Sequence, residues 1–150
     1  MPNLPTITPQ LFVSPAVDAI EFYKKAFGFK EIHRMTSPEG KIMHCSLLLG
    51  KYRLLLADGF DNRYDTPPQK IGGSPVVIQL GVADIDAAFD RAVQAGATVT
   101  MPPTDMFWGD RYGALTDPFG HRWSMAQQKE NLSPEELKKR TENAIAKFFK

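Results

Sequence analysis

Apolar residues recur along this chain at two spacings, and the spacing switches several times. Residues 7–13 alternate as a strand does. Ala16, Ile20, Tyr23 and Phe27 then follow at helical spacing. Ser14-Pro15 predicts the N-cap and first-turn proline of that helix, and Gly28 predicts its stop. Residues 30–35 predict a strand and Ser37-Pro38-Glu39-Gly40 a turn. Residues 42–49 and 52–57 predict a hairpin closed around Gly50-Lys51. Residues 59–73 are polar and rich in turn formers, and read as a linker. The periodic pattern returns with a strand at 76–82. Asp84 is placed to cap a helix whose face is Ile85, Ala88, Phe89, Ala92 and Val93, and Gly96 ends it. Residues 98–101 predict a short strand and 102–108 a loop. Asp117-Pro118-Phe119-Gly120 is a turn that folds 112–116 onto 121–126, and this hairpin is expected to wall the working cavity.

The two halves repeat each other. Gln10-Leu11-Phe12-Val13 leads into its helix as Gln79-Leu80-Gly81-Val82 leads into the other, and Ala26-Phe27-Gly28 falls where Gln94-Ala95-Gly96 falls. Each half reads as strand, helix, then three strands. A lone βαβββ unit leaves one sheet face bare, whereas two units can curve their sheets around a cleft with helices outside. The expected class is therefore α+β. One domain covers residues 1–128, in modules at about 6–58 and 75–127, followed by a helical tail at 129–150. Residues 1–5 read as a loose leading segment. In the tail, Ser133-Pro134-Glu135-Glu136 predicts a helix start. Leu137, Ala144, Ile145, Phe148 and Phe149 give that helix an apolar side, for its own domain or for a second subunit.

Composition narrows the partners. The 150 residues carry a net charge of +1, which gives no reason to expect nucleic acid or an anionic membrane. No apolar run approaches a membrane span, and the N-terminus lacks a signal pattern. Cys45 stands alone, so no internal disulfide forms. The expectation is a soluble, cytoplasmic protein.

Some residues have chemistry to offer. His44 shares a strand face with Ile42, Ser46 and Leu48, where an imidazole could hold a ligand or move a proton; the plainer role is a hydrogen-bonded strand histidine. Cys45 points the other way and reads as a buried thiol. His121 reads as structural and His33 as exposed. Gln10 and Gln79 occupy equivalent inward places, where paired amides could bond a polar ligand or the backbone. Trp108 is expected to line the cavity. Arg111 could hold an anion, or staple the fold by pairing with Asp110 or Asp117. Phe12, Phe60 and Phe119 are candidates for apolar wall. Gly72-Gly73 lacks the lysine and helix of a phosphate loop, and no catalytic-triad motif occurs.

The paired modules, the segment Ile20-Glu21-Phe22-Tyr23-Lys24-Lys25-Ala26-Phe27-Gly28, and Trp108-Gly109-Asp110-Arg111-Tyr112-Gly113 followed by Asp117-Pro118-Phe119-Gly120-His121-Arg122-Trp123 resemble the vicinal oxygen chelate superfamily. Its members include glyoxalase I, bleomycin-resistance proteins and extradiol dioxygenases. The likeness is closest to the PhnB-like branch, to which the tail from Leu132-Ser133-Pro134-Glu135-Glu136 also corresponds. The resemblance implies that a metal, where used, would sit at Thr8, Leu54 (or Leu56), Val77 and Ser124. None of these is His or Glu, so no metal is expected at them and no cofactor is assigned; a divalent metal held by His44 with distant carboxylates such as Asp58 or Asp110 is the alternative. The resemblance also implies a homodimer that binds and sequesters a small molecule, and the residues assigned to that ligand are Gln10, Phe12, His44, Gln79, Trp108, Arg111 and Ser124. Catalytic residues are not assigned. The alternative is a metal-dependent lyase, isomerase or dioxygenase with displaced ligands.

Overall fold

The structure, a computed structural model, describes residues 5–60 and 64–150. The start of the leading segment and the middle of the 59–73 stretch lie outside the described residues. The first module runs β1 (Gln10–Val13), α1 (Ala16–Phe27), β2 (Lys30–Thr36), β3 (Ile42–Leu49) and β4 (Tyr52–Asp58). A short α2 (Pro68–Ile71) falls within the connection. The second module repeats the order with β5 (Val77–Gly81), α3 (Ile85–Ala95), β6 (Thr98–Asp105), β7 (Asp110–Thr116) and β8 (Arg122–Gln128), and α4 (Pro134–Phe148) follows. The sheets are ordered β1-β4-β3-β2 and β5-β8-β7-β6. In each, the first strand runs parallel to the last, and the remaining pairs are antiparallel.

The repeat extends to single hydrogen bonds. Gln10 pairs with Leu55 as Gln79 pairs with Ser124. Three residues on, Asp58 Oδ1 accepts from the Ala16 N–H at the start of α1 (2.8 Å), and Gln127 Oε1 accepts from the Ile85 N–H at the start of α3 (3.1 Å). Each helix is thus anchored by a side chain from the last strand of its own sheet. This revises the expected start of α1. Ser14 is not its cap; Pro15 holds that position with no side-chain bond, and Asp58 supplies the acceptor instead. Asp84 and Ser133 cap α3 and α4 as expected, accepting from Ala87 and Glu136. Gly28 closes α1 in the left-handed conformation at φ 81°.

The modules meet through their helices and the sheet faces those helices cover. Trp123 of β8 is fully buried, with its ring 4.5 Å from Phe27 and 5.4 Å from Tyr23 of α1. Asp117 Oδ2 accepts from Tyr23 Oη (2.6 Å) and Trp123 Nε1 (2.8 Å), while Oδ1 accepts from the Phe119 and His121 N–H groups. His121 Nε2 donates to the Phe12 carbonyl (2.9 Å), and Arg91 Nε of α3 to the Lys25 carbonyl (2.6 Å). Phe119, a candidate for cavity wall, belongs to this shared core beside Phe22 and Tyr23. At Gly113, an added Cβ would meet the Phe89 ring of α3 at 2.8 Å, so the bare backbone lets α3 lie close to β7.

Three further expectations change. Residues 102–105 continue β6 rather than forming a loop. Pro102 and Pro103 are tolerated because β6 is an edge strand whose register shifts between Met101 and Thr104. A second irregularity, opposite Met35 and Thr36, breaks the alternation of β3. Ile42 is therefore fully buried, while His44, Ser46 and Leu48 face away from α1. The tail helix does not pack into its own domain: no residue of α4 is buried.

Candidate functional site

Each sheet keeps one face free of its helix, and the strand register assigns residues to it. On the first sheet this face carries Gln10, Phe12, His44, Ser46, Arg53 and Leu55. His44 stands 6.3 Å from the His33 ring on the neighbouring strand. Ser46 is buried there, and its Oγ has no hydrogen-bond partner among the described residues. On the second sheet the free face has a floor of small residues: Gly81, Ala114, Ser124 and Ala126. Ser124 is only 1% exposed, and its Oγ lies 3.5 Å from Gln79 Oε1. Tyr112 rises from the same face with the Trp108 ring 6.0 Å away, and Trp108 Nε1 donates to Asp110.

The structure thus gathers Gln79, Ser124 and Trp108 on one sheet and Gln10, Phe12 and His44 on the other. Arg111 stands apart. Its guanidinium is held by Asp86 of α3 (2.9 Å) and Asp105 of β6 (3.1 Å), not by Asp110 or Asp117. Those hydrogen bonds, Asp86 first, raise its already high pKa. Asp117, which the sequence reading treated as a turn residue, is the polar centre of the shared core. Cys45 is fully buried, and that burial pushes its thiol up to about 11.

A cavity of about 740 Å³ lies between the modules, and Arg53, Gln79 and Gly81 of the free faces reach it. Its walls include Phe29, Leu49, Leu54, Ile78, Leu80 and Trp123. Of the ligand-binding candidates, Gln79 alone is in its lining. Trp123 makes the β7–β8 hairpin part of its wall, and Phe12, Phe60 and Phe119 are not among its residues.

Residues 5–125 match the model of the Glyoxalase/Bleomycin resistance protein/Dioxygenase superfamily. The chain belongs to that superfamily. It is 41% identical over 136 residues to the uncharacterised protein Rv0887c of Mycobacterium tuberculosis, covering 89% of this chain and 80% of that one. The Arabidopsis thaliana protein At5g48480 is 32% identical over 131 residues, covering 79% of this chain and 75% of its own. The crystal structure of the Arabidopsis protein superposes with a TM-score of 0.63 at 30% identity, over 83% of this chain and 99% of that one. TnmS3, an antibiotic binding protein from Streptomyces sp. CB03234, shares the fold with a TM-score of 0.62 at 20% identity, over 85% of this chain and 98% of its own.

Membership raises the question of a divalent ion. The register corrects one of the four positions implied by resemblance. Leu54 and Leu56 lie in the core on the helix side, and the residue equivalent to Ser124 is Leu55. Thr8, Leu55, Val77 and Ser124 offer two hydroxyls and two alkyl chains, a set that does not fit a divalent cation. Among the described residues, no three His, Cys, Asp or Glu side chains gather elsewhere in a metal-holding group. No helix of the described residues is long and apolar enough to cross a membrane.

Proposed function

We propose that this protein binds and sequesters a small, largely apolar organic molecule, and uses no ion at the superfamily's metal positions. In this reading two copies associate, and the free face of the first sheet in one copy lies opposite the free face of the second sheet in the other. The observation that carries it is the second sheet's free face. Gly81, Ala114, Ser124 and Ala126 leave room above the strands, Trp108 and Tyr112 offer aromatic faces, and Gln79 and Ser124 offer hydrogen bonds. The fold shared with an antibiotic binding protein adds support and suggests planar antibiotics as the first probes.

The test is a thermal-shift and calorimetric screen of aromatic antibiotics and related planar compounds, with light scattering to measure mass. The expected result is a saturable ligand, an affinity at least about tenfold weaker in Trp108→Ala, and a mass about twice the 16.8 kDa chain. A blank screen across a broad panel, or a purified protein carrying a stoichiometric metal through His44, would sink it. The second outcome would favour lyase, isomerase or dioxygenase chemistry with displaced ligands.

A further inference from the structure

The repeat equates Leu55 of β4 with Ser124 of β8, and two residues earlier it equates Arg53 with Arg122. Arg122 lies opposite Val77 and Thr116 and shares a face with Ser124 and Ala126. The free face of each sheet therefore holds one arginine at the same place in the repeat. The pair has a second property in common. Among the described residues, Arg34, Arg111 and Arg140 are held by carboxylates, and Arg91 by the Lys24 and Lys25 carbonyls. Arg53 and Arg122 have no such partner. Nor does a carboxylate stand on the first free face, since Glu31 and Asp58 belong to the side that α1 covers. On the second, Asp110 is taken by Trp108 Nε1.

The two arginines differ in access. Arg53 Nε is closed off, so that atom meets no ligand, and Arg53 acts on the cleft through its charge. Arg122 is exposed. From it the second face is graded: Gln79 and Ser124 come next along the strands, then Gly81, Ala126 and Tyr112, with Trp108 beyond. Residues 122–126 of β8 span about 13 Å at 3.3 Å per residue. An open guanidinium at one end and aromatic rings at the other match a molecule with an anion at one end of a planar body.

We infer that Arg122 is a ligand-binding residue and that the ligand is an aromatic acid. Its carboxylate meets Arg122, and its rings lie over Gly81, Ala114 and Ala126 toward Tyr112 and Trp108. This rests on the binding role proposed above and names the class of molecule bound.

Anthracene-2-carboxylate and anthracene-2-carboxamide are alike in shape and differ in charge. Titrated into the full chain at low salt, the acid is expected to bind at least about tenfold more tightly than the amide. About 0.5 M salt should narrow that gap. Arg122→Gln should weaken the acid at least about tenfold and leave the amide within about twofold, and Arg122→Lys, which keeps the charge, should retain part of the preference. Equal affinity for acid and amide in the unaltered chain overturns the proposal and leaves small-molecule binding standing. Equal weakening of both by Arg122→Gln also overturns it, and makes Arg122 a wall of the site. Failure of both probes to bind overturns it too; only a blank screen across the wider panel extends that failure to the binding role. Should Arg122→Gln fail to fold, acid against amide at low and high salt decides alone.

Discussion

Asp117 shows how much one side chain can hold. It is 4% exposed, and its two oxygens take four donors from α1, from β8 and from its own turn. The shortest of these bonds, from Tyr23 Oη, crosses between modules. It fixes a phenol whose pKa lies well above 10.0, because burial, then the Asp117 charge, disfavour the phenolate. A phenol with a raised folded pKa holds its proton more tightly in the folded chain. Its contribution is whole below the unfolded value near 10.0 and is lost as pH rises through the folded value. Cys45 acts in the same direction from 9.0 to about 11. Stability measured by urea unfolding is therefore expected to fall above about pH 9 and to steepen above about pH 10. Tyr23→Phe should cost about 1–2 kcal/mol at pH 7, since Asp117 loses a buried donor, and should flatten the steeper part of the alkaline fall. An unchanged alkaline slope in Tyr23→Phe would show that the phenol does not carry it.

Some elements in this chain are started by neighbours in sequence and others by groups brought in from far along it. The N-caps Asp84 and Ser133 were legible because the acceptor sits beside its donor in the chain. Asp58 was not, because it lies 42 residues from Ala16 and becomes a neighbour only when β4 pairs with β1. Its second oxygen accepts from the Ile42 N–H at 2.7 Å, so one carboxylate anchors both α1 and β3. The second module uses Gln127, a neutral amide with a single longer bond to Ile85. Asp58→Ala is thus expected to cost about 2–3 kcal/mol in a denaturant titration, and Gln127→Ala about 1 kcal/mol or less. Equal losses would mean that the charge and the second bond add nothing. The same logic explains the misread stretch at 102–105. Two prolines argue against a strand in general, and only the sheet order reveals that this one is an edge with a shifted register.

At the scale of the molecule, the duplicated architecture was legible because module, helix and hairpin signals recur at one interval, and the second sheet repeats the strand order of the first. The site was legible in part. Alternation placed Gln10, His44 and Gln79 on their faces, but no periodicity could reveal that Arg111 turns to Asp86 or that a cavity opens between the modules. The tail is the clearest case of a helix legible as an element yet not as a contact. Its apolar side ends in Phe148 and Phe149, which are 84% and 81% exposed. Its ties to the body run through Arg140, which bonds both oxygens of Glu130 at 2.8 and 3.1 Å, and through Leu132 against Gly109. Ion pairs at such exposure contribute little, and no apolar residue of the helix is buried against the modules. Removing residues 131–150 is therefore expected to move the thermal midpoint by no more than about 2 °C while sharply lowering binding of an apolar dye. A fall of more than about 5 °C would mean that the helix packs on the modules in solution, and its apolar side would then belong to the core.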